Sequence, residues 1–201
     1  MTIGTLDLNT GEDYVSLFAG ALFRQNAAHR RRFQLRVNAS HVKKMNKELL
    51  DCMAHMTYGI YVLTTRYDDT INGMIASWVS QVSYAPPLIM VAVHPDRYSH
   101  DLLQKSGHFA LNILTREQKD LLTRFKGPDP GSKFYALAWR DGVNGCPVLA
   151  DCIGSVACRI RQTLKPGNHT LFIGEVVGAV FNRQETPLCT LDYEGCYIGR
   201  K

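Results

Sequence analysis

"NGMIASWVSQVSYAPPLIMVAVH" (72–94) sets two strand-like runs on either side of a Pro-Pro corner. The second run, "PPLIMVAVH" (86–94), is continuously apolar and reads as a strand buried on both faces. The first run is less regular. Asn72, Gly73, Ala76, Ser77, Ser80, Gln81 and Ser83 interrupt it. Alternation puts Met74, Ala76, Trp78, Ser80 and Val82 on one face and Ile75, Ser77, Val79, Gln81 and Ser83 on the other, and neither face is uniformly apolar. Two readings fit. Small residues suit a tight, curved corner of a barrel, or they let a flat ligand approach backbone N–H groups.

Strand signals are dense on both sides of this stretch. "YGIYVLTTRY" (58–67) is rich in β-branched and aromatic residues, and with the turn cluster "DDTING" it makes 58–82 a hairpin. "SHDLLQKSG" (99–107) reads as a helix with Ser99 as N-cap and Gly107 as stop. "HFALNIL" (108–114) is a strand, and "TREQKDLLTRF" (115–125) a helix opened by a capping box from Thr115 to Gln118. A loop over 126–133 follows, then strands at 155–164 and 170–181 joined by the turn "KPGNH", with a last short strand or two over 187–199. Many hairpin-linked strands and two or three short helices predict a mainly β, antiparallel Greek-key barrel rather than a βαβ fold. No GxGxxG, P-loop or GxSxG motif is present.

The 201-residue chain carries a formal charge of +5. Eight Lys/Arg against three acids in residues 1–47 account for the whole excess, so the rest is balanced. Residues 1–44 read as a basic, peripheral or partly disordered extension and 45–201 as the folded domain. It opens with the helical spacing of Leu49, Leu50, Met53 and Met56, and Met45 is a candidate alternative start. One Arg run without an aromatic platform does not make a nucleic-acid surface. No apolar run reaches the ~20 residues that span a bilayer, and "VSLFAGALF" (15–23) lacks the basic flank of a signal peptide. Six cysteines without CxxC or Cys/His metal spacing suit free thiols in the cytoplasm.

Two further features carry possible chemistry. "HPDRYSH" (94–100) closes a strand and opens a helix, an arrangement in which Arg97, Ser99 and the helix N-terminus can cradle a phosphate. It is equally a plain helix start. His169 follows a turn at the lip of an apolar strand, where a histidine is often just exposed. Glu175 within that strand reads as outward-facing or paired.

Taken in order, "YGIYVLTT", "NGMIASWVSQVSYAPPLIMVAV", "YSHDLLQKSGHFALNIL", "LLTRF", "GSKF", "GCPVL", "ACRI" and "GNHTLFIGEVVGAV" resemble the flavin reductase-like family over about three-quarters of the chain. The resemblance implies an FMN-binding split β-barrel. It implies flavin contacts along Asn72, Met74, Ala76, Ser77, Trp78 and Ser80, with backbone amides at Met74, Ala76 and Ser77, and a phosphate corner at Arg97, Ser99 and His100. His169 is implied as the catalytic residue near the nicotinamide. The family often has Asp where this chain has Asn168. The implied activity is NAD(P)H-dependent flavin reduction, with FMN or FAD bound and NADH or NADPH as donor. Electrons would pass to free flavin or to a separate acceptor such as a rubredoxin, a flavodiiron protein or a monooxygenase component. The alternative is a flavoredoxin-like FMN carrier that does not oxidise NAD(P)H. A homodimer is the usual assembly. Ala76 and Ser77 are then small because a ring lies against them.

Overall fold

The computed structural model describes residues 47–49, 51–127 and 129–192. The extension 1–44, Met45 and the expected strand beyond residue 192 lie outside them. Residues 47–49 and 51–54 are helical, and the compact unit Ala54–Lys201 holds the sheet. Nine strands are described: β1 Tyr61–Tyr67, β2 Thr70–Ala76, β3 Val79–Ser83, β4 Leu88–Val93, β5 His108–Ile113, β6 Trp139–Asp141, β7 Pro147–Leu149, β8 Gly154–Leu164 and β9 Thr170–Phe181. Helix α1, Tyr98–Ser106, lies between β4 and β5, and α2, Asp120–Lys126, follows β5.

Seven strands make one antiparallel sheet in the order β2-β1-β5-β8-β9-β4-β3. The two outermost strands, β2 and β3, are consecutive in the chain and joined by only Ser77 and Trp78. The sheet is a barrel split along the seam between them. Here the hairpin expected over 58–82 needs correction. β1 and β2 pair from Tyr61↔Ala76 to Tyr67↔Thr70, but the chain then crosses the seam and pairs with β4. The mixed alternation of 72–83 therefore comes from two strands with a break between them. The break is pinned on both sides, since Val79 N–H donates to Ser77 O at 2.9 Å and Ala92 N–H to Trp78 O at 3.0 Å.

The barrel core gathers Leu63, Val91, Val93, Phe109, Leu111 and Phe172, all essentially sealed from water. Burying each of these large side chains contributes about 1.5–3 kcal/mol. β4 is less enclosed than its apolar run suggests, because only Val91 and Val93 are buried and the residues between are half-covered. A second cluster under α2 holds Leu121, Leu122, Phe125 and Phe134. The β6–β7 hairpin, which the sequence reading left out, is docked by polar groups. Leu149 N–H donates to Asn112 Oδ1 at 2.8 Å, and Thr64 Oγ1 donates to Pro147 O at 2.5 Å.

The helix boundaries also shift. Arg97, not Ser99, is the N-cap of α1, and it caps without a side-chain bond. Gly107 ends the helix as expected, in the left-handed region at φ 69°, with its N–H on Leu103 O. The capping box is half made: Gln118 Oε1 accepts from Thr115 N–H at 2.9 Å, but α2 starts only at Asp120. Within 187–192 there are two isolated bridges, at Pro187 and Cys189, and a 3₁₀ turn in place of a strand.

Candidate functional site

Three elements meet at Asn72 of β2. Its Nδ2 donates to Ser99 Oγ at 2.8 Å, and its Oδ1 accepts from Lys133 Nζ at 3.1 Å. Lys133 also donates to Gly73 O at 3.0 Å and is 6% exposed. Local chemistry brings the lysine here. Asp129 accepts from the N–H groups of Gly131 and Ser132, which folds 129–132 into a turn. Phe134 then anchors the following 3₁₀ segment edge-on against Phe125, with centroids 5.6 Å apart. Gly73 permits this packing, because a Cβ there would lie 2.5 Å from Phe125 Cε1.

The corner is cationic. Burial pushes the Lys133 ammonium below its ordinary range, Asp129 opposes that shift and Arg97 adds to it. Arg97 itself makes no ion pair among the described residues. It sits at the start of α1, whose first-turn N–H groups favour an anion. Ser99 is 1% exposed and accepts from Asn72, while its own hydroxyl proton has no acceptor among the described residues. His100, 4% exposed, shares a 2.9 Å bond between Nε2 and Thr170 Oγ1, and its Nδ1 has no hydrogen-bond partner.

Next to Thr170 stands His169, at the mouth of β9. Its ring packs on Trp78 with centroids 4.6 Å apart and meets His94 edge-on at 5.1 Å. The seam crossover thus supplies an aromatic platform. His169 Nδ1 lies 2.9 Å from Asn168 Oδ1. The amide oxygen can accept the Nδ1 proton as a carboxylate would, which leaves Nε2 as the basic nitrogen. Partial burial, then His94 and Arg97, hold the His169 pKa below its ordinary value.

The flavin reductase like domain family matches residues 53–198. The chain belongs to this flavin reductase-like family. Among curated relatives, a high molecular weight rubredoxin of Moorella thermoacetica is 31% identical over 137 residues, 66% of this chain and 60% of that protein. The reductase subunit HsaB of a flavin-dependent monooxygenase from Mycobacterium tuberculosis is 31% identical over 145 residues, 70% of this chain and 75% of that subunit. The chain spans only about a quarter of the diflavin flavoproteins that it also matches. The NADH:FAD oxidoreductase SgcE6 of Streptomyces globisporus, solved with NAD and FAD fragments, superposes with a TM-score of 0.67 at 26% identity, covering 73% of this chain and 88% of that one.

Within this flavin reductase-like domain the expected site residues separate into groups. Asn72, Ser99 and Arg97 share the cationic corner, with His100 in the same first turn of α1. Trp78 and His169 form the platform. Met74 is half-buried against the core, and Ala76, 4% exposed, belongs to the core outright. Its methyl lies within the protein's own core, which accounts for a small side chain without a ring against it. Ser77 is buried at the crossover. Ser80 lies away from the corner, on β3, where it lines a cavity of about 500 Å³ together with Tyr61, Val79, Leu111 and Val176. Lys133 and His94 were not singled out from sequence. Their only signals were the "GSKF" segment and the first residue of "HPDRYSH". Glu175 is paired, with Arg161 and more distantly with Arg159 at 3.7 Å.

Proposed function

We propose that this flavin reductase-like chain binds FMN across the β2–β3 crossover and reduces it with NADH or NADPH. Electrons then pass to free flavin or to a separate acceptor protein. The observation that carries this reading is the meeting of a cationic corner (Arg97 and Lys133) with an aromatic platform (Trp78 and His169). The first suits a phosphate and the second suits planar rings. The donor set fits: two cations, an uncommitted Ser99 hydroxyl and the α1 N-terminus are what a phosphate ester needs. β2 is an edge strand, and its alternate backbone groups that face away from β1, such as Gly73 O, lie on the open side beside the corner.

A bound flavin supplies the hydride-accepting chemistry; the chain's own task is positioning. Arg97 and Ser99 hold the phosphate end, and the buried Lys133 behind Asn72 adds positive charge to the corner. Trp78 fixes the His169 ring, and Asn168 fixes its tautomer, so that neutral Nε2 is presented to a nicotinamide. A flavoredoxin-like carrier is the second reading, favoured by the likeness to a high molecular weight rubredoxin. The likeness to a monooxygenase reductase subunit favours an oxygenase component as acceptor, and a rubredoxin or flavodiiron protein remains the acceptor class on the second reading. We also propose a homodimer, supported by the exposed apolar stripe Val177, Ala179 and Phe181 on β9. A cytoplasmic location is supported by Cys146, Cys152 and Cys158, which are buried as free thiols. Among the described residues no helix is long and apolar enough to cross a membrane.

Anaerobic mixing of the purified, flavin-loaded protein with NADH and with NADPH tests the proposal. Rapid bleaching of the flavin is expected. A yellow protein indifferent to both nucleotides selects the carrier, and a protein that takes up neither FMN nor FAD overturns both readings.

A further inference from the structure

The contacts around Asn72 have a direction. A lysine ammonium can only donate, so the atom that it holds 3.1 Å away must be the amide oxygen of Asn72. The other end of the amide is then –NH₂, which donates to Ser99 Oγ at 2.8 Å. That bond occupies Ser99 as an acceptor and leaves its hydroxyl proton to be given elsewhere. No acceptor for that proton exists among the described residues, although Ser99 is 1% exposed. A buried, uncommitted donor is costly unless something fills it. This one sits in the first turn of α1, beside Arg97.

We propose that Lys133 is a positioning residue that acts through Asn72. By fixing the orientation of the Asn72 amide, it compels Ser99 to donate its hydroxyl proton to the flavin phosphate. The inference rests on the flavin-binding reading above, but it concerns only the phosphate end. Lys133 need not touch the flavin. Without it the amide is free to turn over and present oxygen to Ser99, whose proton would then be consumed inside the protein. The buried ammonium itself is held by two carbonyl-type oxygens, Asn72 Oδ1 and Gly73 O, so its place does not depend on a ligand.

Equilibrium binding of FMN and of riboflavin, followed by quenching of flavin fluorescence, tests this, because the two ligands differ only in the phosphate. For Lys133→Met the expected loss of FMN affinity is about tenfold to a hundredfold, the range of one hydrogen bond to a charged group, with riboflavin binding changed less than about threefold. Ser99→Ala should show the same selective loss. The double variant should be no worse than either single one, whereas multiplying losses would mean that Lys133 acts independently of Ser99 and would overturn the relay. Equal losses for both flavins would reduce Lys133 to a structural role and overturn it too. If Lys133→Met does not fold, Asn72→Asp carries the test. It keeps an acceptor for Lys133 but offers Ser99 only oxygen, so FMN should again be lost selectively, and no further loss should follow when Ser99 is already Ala. A wild-type protein that binds both flavins equally leaves the flavin reading standing and sinks the relay. A wild-type protein that binds neither removes both.

Discussion

His169 is held by three neighbours of different kinds: a tilted indole, an edge-on imidazole and an amide oxygen. None of them needs a flavin. His169→Ala is therefore expected to leave FMN affinity within about threefold and to slow reduction by NAD(P)H by about a hundredfold, the usual scale for a positioned proton-handling or orienting group. Stopped-flow bleaching set against a flavin titration separates the two effects. The pH dependence follows from the direction of the pKa. Burial and the charges of His94 and Arg97 lower it, so the folded protein keeps His169 neutral at pH values where the unfolded chain has begun to protonate. Between the lowered value and the ordinary ~6.5 the unfolded state binds more protons, and stability rises with pH. Reduction should be flat above that window and fall below it. His94→Asn removes the repulsion by which His94 lowers the His169 pKa, which moves the acid limb to higher pH; a His169 imidazole titration followed by NMR that stays put would refute this. At Ala76 the buried methyl belongs to the core cluster that also holds Leu63 and Val91, so Ala76→Leu is expected to cost about 1–3 kcal/mol of stability by overpacking. Urea unfolding of the flavin-free protein should detect that loss.

At the scale of elements, the sequence displayed strands better than it displayed their ends. β8 and β9 were legible almost residue for residue, because β8 alternates, β9 is an apolar β-branched run, and a Lys-Pro-Gly turn separates them. The β2–β3 break was not, since Ser77 and Trp78 carry no turn signal. What bends the chain there is tertiary: the hydrogen bond from Ala92 N–H holds Trp78 at the margin of β4. The β6–β7 hairpin escaped for a related reason. Three-residue strands have too little alternation to register, and the groups docking them, Asn112 and Thr64, belong to distant strands. Lys133 was invisible as a buried cation because nothing in "GSKF" marks it as different from a surface lysine. Gly73, read as a turn residue in "DDTING", proves to be a packing requirement of β2. Gly73→Ala should drive a methyl into the Phe125 ring, which is 2% exposed and has little room to yield. A loss of about 1–3 kcal/mol is expected, together with weaker FMN binding, because Phe134 and Lys133 ride on the same contact. Thermal melts with and without FMN distinguish the two components.

For the molecule as a whole, the decisive trait is that neighbours in sequence sit at opposite borders of the sheet. β2 and β3 each have a single pairing partner in the seven-stranded order, and the chain steps from one border to the other in two residues. Opening of such a structure should begin where only one side is zipped. A planar molecule lodged against the step would then behave as a clasp, coupling two borders that otherwise fray separately. Loading with FMN should slow amide hydrogen exchange in β2 and β3 far more than in β5 and β8, which are paired on both sides already. Uniform slowing across all strands would mean that the clasp is absent. On this view a bound flavin is a late structural member of the barrel, and the protein is most open to proteolysis and to exchange of its flavin in the same brief state.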